Sequence, residues 1–192
     1  MGHIDRKQRN RELVRAGILE AALRIAETEG WQAVTIRRIS EAIEYTTSIV
    51  YSHFESKEAL LQEIVNGGFK ILNEEGEKIL TLNLEPKEQL LRMSLVNWDF
   101  ANNNRELYFQ MFSAGKPNSD QATKGMKLLK QIFVTLTGVD EEQVGSLILN
   151  WICVRQGSIN FLMNASKEHV DADGRQLYVE FMSRFIDSIA KK

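Results

Sequence analysis

Disulfides, membrane spans and a basic bulk charge are all missing from this 192-residue chain. Cys153 is its one cysteine, so no internal disulfide can form, and a cytoplasmic setting is expected over a secreted one. No apolar run approaches the roughly 18 residues that a membrane span needs. No basic-then-apolar start with a small-residue cleavage site suggests a signal peptide. No membrane partner is therefore expected. The three histidines, His3, His53 and His169, lie scattered and lack metal-ligand spacing. Gly-rich phosphate loops, nucleophile motifs and Cys-His pairings are also missing. Neither an enzyme nor a bound metal or cofactor is expected. The formal net charge is −2, so bulk charge announces no nucleic-acid partner. Any DNA affinity has to come from a patch. Residues 1–15 hold such a bias, with Arg6, Lys7, Arg9, Arg11 and Arg15 against Asp5 and Glu12, whereas residues 1–55 as a whole balance to zero.

Proline is scarce too. Only Pro86 and Pro117 interrupt the chain, and β-branched alternation is rare, so the pattern predicts an all-α fold. Over 8–29, Val14, Ile18, Ala21, Ala22 and Ile25 form one apolar stripe, and Gly30 ends that helix. Thr35, Thr46 and Ser56 are candidate N-caps for the next three helices. Ile36, Ile39 and Ile43 give the first of these its inner face. The second runs through Tyr51 to His53, and the third to about Leu80. Three helices capped so closely, at 35, 46 and 56, suit a trihelical DNA-binding unit better than an ordinary bundle, because the second helix of a helix-turn-helix must enter a groove. Longer helices are predicted at about 86–103, 105–114, 119–137, 140–164 and 173–190. A turn is expected at 115–119 with Ser119 as a cap, and Gly138 and Gly174 mark further boundaries.

Ile18-Leu19-Glu20-Ala21-Ala22, Gly30, Thr35, Ile39 and the run Val50-Tyr51-Ser52-His53-Phe54-Glu55-Ser56-Lys57-Glu58-Ala59-Leu60 together resemble the N-terminal domain of the TetR family. The resemblance covers about residues 13–65. It implies an N-terminal three-helix DNA-binding domain with a helix-turn-helix (8–55), a connecting helix (56–80) and a C-terminal helical ligand-binding and dimerisation domain (81–192). Relatives usually carry glycine in the turn where this chain has Glu44, and often another at Ser48. Tyr45 replaces a small aliphatic residue and is expected to pack in its place. The segment from Trp98 to Tyr108, followed by Met111-Phe112, is similar to part of one subgroup's ligand domain, with Arg105 where those relatives have proline. Gln156-Gly157 stands where many have His-Gly.

The resemblance implies that Thr47, Ser48 and Ser52, with Thr46 at the helix start, offer hydroxyls to the groove, and that Arg37 reaches in from the preceding helix. Arginine suits a bidentate contact with guanine, whereas serine and threonine pair with several bases. Thr35, Tyr51, His53 and Lys57 are the expected phosphate binders, and Lys7 and Arg9 could add backbone or minor-groove contacts. Gly67 and Gly68 are expected to act as a hinge in the connecting helix, or else to permit a close packing contact. Trp98, Phe109, Phe112 and Trp151 are candidate linings of a ligand pocket, with Arg155, Gln156 and Asn160 as polar members alongside Asn97. An arginine buried among these rings would point to an anionic ligand. The helices at about 140–164 and 173–190 are expected to form a homodimer face, the second through Leu177, Phe181, Phe185 and Ile189. The function implied is a transcriptional regulator, chiefly a repressor, released from a palindromic operator in double-stranded DNA by a small hydrophobic or amphipathic effector. The alternative is a helical small-molecule-binding or protein-interaction module without specific DNA binding, which the missing turn glycine keeps open.

Overall fold

The computed structural model describes residues 3–113, 120–165 and 173–190; the expected turn at 115–119, with Ser119, and His169 lie outside them. Among the described residues there are nine α-helices and no strand, as the scarcity of proline and of alternating patterns predicts. They are α1 (His3–Glu29), α2 (Ile36–Ala42), α3 (Thr47–His53), α4 (Lys57–Thr81), α5 (Pro86–Asn103), α6 (Arg105–Ser113), α7 (Asp120–Thr137), α8 (Val144–Asn164) and α9 (Gly174–Ile189). None of them is long and apolar enough to cross a membrane.

Two compact units share these helices. One comprises residues 1–68 and 104–115, and the other 69–103 and 116–192. In the first, four of the five residues of the α1 stripe are buried as their spacing predicts, Ile18, Ala21, Ala22 and Ile25, while Val14 is half-buried and Ala26 joins the buried set. Val34, Ile39 of α2, Val50 and Phe54 at α3, and Leu60 and Ile64 of α4 are buried with them. Gly30 has a φ of 81°, followed by a short 3-10 turn at Trp31–Ala33. The Trp31 indole N–H donates to the Glu106 carbonyl at 2.9 Å, which ties that turn to α6. α6 also presses on α4. A Cβ built on Gly68 would clash with Met111 Sδ, whereas one on Gly67 meets nothing within 4 Å. α4 runs through both glycines without a break.

In the second unit α5 is central and packs on α7, α8 and α9. Its buried Ser94 organises the polar part of that core. The Trp151 indole N–H of α8 donates to Ser94 Oγ at 3.2 Å, and the Tyr178 hydroxyl of α9 donates to the Ser94 carbonyl at 2.9 Å. On α8 the inner face is Val144, Ile148, Trp151, Arg155 and Ile159, and on α9 it is Tyr178, Met182 and Ile186. Leu149 and Phe161 of α8 are 58% and 62% exposed, and Phe181 of α9 is exposed as well. Gly138 ends α7 with a φ of 67°. Asp173 caps α9 by accepting from the Arg175 N–H.

The two adjacent glycines make opposite demands. Gly67→Ala is expected to stabilise the chain by about 1 kcal/mol, since alanine orders more cheaply in a helix. Gly68→Ala is expected to cost about 1–3 kcal/mol, because the buried Met111 has to move. Thermal melts of the two variants check this, and equal shifts would refute it.

Candidate nucleic-acid interface

α2 and α3 are joined by a turn that closes with two crossed backbone bonds. The Tyr45 N–H donates to the Ser40 carbonyl at 2.9 Å and the Glu44 N–H to the Glu41 carbonyl at 3.2 Å. This is the Schellman pattern, which needs a left-handed residue just past the helix. Glu44 supplies it, with φ 58°, as the only described non-glycine residue at positive φ. The turn is thus built the usual way from an unfavourable residue, at a strain of about 1 kcal/mol relative to glycine. Glu44→Gly is expected to recover about that amount, raising Tm by roughly 2–4 °C for a chain of this size. No gain in a calorimetric melt would mean that the glutamate is compensated elsewhere.

The caps of α2 and α4 form as the sequence predicts. Thr35 Oγ1 accepts from the Arg38 N–H and Ser56 Oγ from the Ala59 N–H. Thr46 occupies the N-cap position of α3, but its side chain makes no capping bond, which corrects that expectation. Tyr45 is also corrected. It does not pack in place of a small aliphatic residue but stands 48% exposed at the turn.

α3 is amphipathic over its seven residues. Val50 and Phe54 point inward, and Ile49 is half-buried. Thr47, Ser48, Tyr51 and Ser52 form one exposed face at i, i+1, i+4 and i+5, with Tyr51 54% exposed. Thr46 is exposed at the start of this face and Lys57 is half-buried beyond its end. The Ser52 hydroxyl donates to the Ile49 carbonyl, which leaves its oxygen free to accept. Arg37 is exposed on α2 and its Nε pairs with Glu41 at 2.8 Å. Such an exposed pair is screened by water and weak, so Arg37 is readily exchanged onto another acceptor. Arg38, off that face, bridges to Glu29 of α1.

His53 is half-buried at the end of α3, and its Nδ1 is buried without a hydrogen-bond partner. Burial, and then the Arg11 and Arg15 charges, hold its pKa below the ordinary 6.5. The folded chain therefore binds this proton less readily than the unfolded chain does. Its contribution is full above pH 6.5 and is lost as pH falls from there toward the depressed value. His53→Gln is expected to flatten the fall of Tm between about pH 7 and pH 5.5. A melt series whose slope is unchanged by the substitution would exclude this origin.

Residues missed from sequence sit behind α3. Arg15 Nη1 donates to the His53 carbonyl at 2.7 Å, its Nε donates to Glu63 at 3.0 Å, and its guanidinium lies 4.2 Å from the Phe54 ring centre. On α1, Arg15 precedes the buried Ile18 and Ala22 at helical spacing, and that register was the one available signal.

The candidate effector residues fall in both units. Phe109 and Phe112 are on α6, each against Tyr108, with ring centres 5.9 and 4.9 Å away. Trp98, Trp151 and Arg155 are buried in the second unit, Gln156 is half-buried and Asn160 is exposed. Trp98 stacks on Tyr178 at 4.9 Å and the Arg155 guanidinium lies 4.6 Å from the Trp151 ring centre. Asn97 donates to the Met93 carbonyl, while its Oδ1 is buried without a partner. Among the described residues, no three His, Cys, Asp or Glu side chains converge as metal ligands.

Residues 18–64 match the model of the family described as bacterial regulatory proteins, tetR family. The chain carries a TetR-family helix-turn-helix domain. Its fold is similar to solved structures over nearly the whole chain. A protein of unknown function from Rhodococcus sp. RHA1 superposes with a TM-score of 0.75 at 17% identity, over 92% of this chain and 95% of that one. A TetR transcriptional regulator from Legionella pneumophila gives 0.63 at 21%, over 91% and 96%. The TetR family transcriptional regulator PfmR from Thermus thermophilus gives 0.62 at 20%, over 91% and 99%. No curated protein matches the sequence. The superpositions extend the TetR-like fold beyond the matched residues to the helices of the second unit.

Proposed function

We propose that the chain is a repressor that binds a palindromic operator as a homodimer and leaves it when a small hydrophobic or amphipathic effector binds. The observation that carries the DNA part is the exposed hydroxyl face of α3, presented by a properly closed turn. Thr46, Thr47, Ser48 and Ser52 meet base edges, and Arg37 trades Glu41 for a guanine. Thr35, Tyr51, His53 and Lys57 hold phosphates. The alternative without DNA binding drew its strength from the missing turn glycine. Glu44 in the left-handed conformation takes that strength away.

Dimerisation is supported by the outward apolar side chains of α8 and α9. Patches of this kind mark interaction sites. Leu177, Phe181, Phe185 and Ile189 lie one step off the inner stripe of α9 and are only partly covered. A two-fold copy would cover them, setting two α3 helices on half-sites a turn or more apart, about 34–36 Å at minimum. An effector site is supported by the buried, unpartnered Asn97 Oδ1 among the aromatic side chains of α5. A donor group on a ligand would relieve a cost of about 1–3 kcal/mol. Gly67, with open space around it, is where α4 would accommodate an effector-driven bend.

Selection of bound duplexes from a random-sequence pool tests the core of this reading. A palindromic consensus is expected, with affinity that falls steeply as salt rises. Phe161→Glu with Phe181→Glu is expected to yield a monomer by sedimentation and to lose the palindrome. Recovery of no duplex would defeat the DNA-binding function. A variant that stays dimeric would defeat the α8–α9 interface, and retained duplex across a panel of amphipathic and aromatic compounds would defeat release by such effectors.

A further inference from the structure

The hydroxyl face of α3 gives that helix something to read with but does not fix where it points. A helix of seven residues has no stability of its own in water. Its direction depends on what holds its two ends. The N-terminal end is held by the turn at Glu44 and Tyr45. The C-terminal end is held by one cation. Arg15 of α1 donates from Nη1 to the His53 carbonyl, the last of the helix, at 2.7 Å. Its Nε donates to Glu63 of α4 at 3.0 Å, its Nη2 pairs with the other Glu63 oxygen, and its plane lies against Phe54. Three helices meet on this guanidinium.

We infer that Arg15 is a positioning residue for DNA recognition: held by Glu63, it fixes the C-terminal end of α3 and does not itself bind nucleic acid. The inference rests on the DNA-binding function proposed above. Two features separate Arg15 from a phosphate ligand. Its donors are committed on both edges, to a carboxylate and to a carbonyl, and Glu63 beside it opposes a second anion. Only arginine can meet these three demands at once, because its planar fork donates along two edges while its face rests on a ring. Lysine keeps the charge but offers no second edge.

A duplex selected by the wild-type chain is the probe, with affinities normalised to the folded, active fraction of each protein. Arg15→Lys and Arg15→Met are each expected to lose about tenfold in affinity, comparable to one lost base contact. Their preference for the selected duplex over a scrambled one should shrink, and the slope of log affinity against log salt should stay unchanged. Glu63→Gln should weaken binding in the same direction, and adding it to Arg15→Met should cost nothing further. Lys57→Gln provides the contrast, with a slope lower by about one, as for a phosphate contact. Should Arg15→Met fail to fold, Arg15→Lys and Glu63→Gln still decide. A slope lowered by about one in the Arg15 variants, with tighter binding by Glu63→Gln, would make Arg15 a phosphate ligand and overturn the inference. Wild-type affinity and specificity in all three variants would overturn it as well. Failure of the wild-type chain to select any duplex would instead remove the DNA-binding function, and this role with it.

Discussion

A reading helix must be short enough to enter a groove, and a helix that short cannot hold itself together. Nucleating the first turn is costly, and isolated helices below about 12–15 residues are marginal in water. α3 has seven residues. Everything else in the N-terminal unit can be understood as support for it. Val50 and Phe54 bury its inner side. The crossed backbone bonds of the α2–α3 turn fix its entry, and Arg15 fixes its exit. The long helices α1 and α4 matter because they supply the rigid residues on which these contacts rest. Arg15 and Glu63, which meet side by side, are 48 positions apart.

The second unit solves a different problem with a similar device. Tryptophan and tyrosine bring large apolar surface to a core, but each carries a polar group that must be satisfied. Ser94 answers both. Its hydroxyl accepts from Trp151 and donates to the Leu90 carbonyl, while its own carbonyl accepts from Tyr178. One small residue on α5 thereby registers α8 and α9 against it. Asn97, a turn further on, is left with a buried oxygen unsatisfied in the same stretch of helix. A core that pairs the polar atoms of Trp151 and Tyr178 so completely makes the exception at Asn97 informative.

Much of this was legible in the sequence, for local reasons. Helix positions followed from apolar spacing and from caps such as Thr35 and Ser56, whose chemistry lies within three residues. The α3 face followed from the alternation of Thr47, Ser48, Tyr51 and Ser52 with Val50 and Phe54. What escaped was set by long-range contacts or by competition between equivalent faces. On α9 two apolar stripes run one residue apart, and spacing alone does not say that Tyr178, Met182 and Ile186 are the inner one. The grouping of α6 with the N-terminal unit depends on a Trp31 bond to Glu106 and on the absence of a side chain at Gly68. Tyr45 was expected to pack in place of a small aliphatic residue, yet it stands 48% exposed at the turn.

The even charge balance of residues 1–55 acquires a physical meaning from these contacts. The acidic side chains do not simply dilute the basic ones. Glu29 engages Arg38 and Glu41 engages Arg37, as Glu63 from α4 engages Arg15. Each pair takes up one cation with one carboxylate, and the pairs of Arg15 and Arg38 also tie α1 to its neighbours, whereas the Arg37 pair lies exposed within α2. Arg6, Lys7, Arg9 and Arg11 stay exposed along the first turns of α1, and Lys57 is half-exposed at the start of α4. The outer face of α3 is itself uncharged. In the function proposed above, attraction and discrimination fall to different residues, cations for the phosphates and hydroxyls for the bases. Arg37 stands between the two groups. Its exposed pair with Glu41 is weak enough to break when a guanine offers two acceptors, so specificity can be gained at the cost of one surface ion pair.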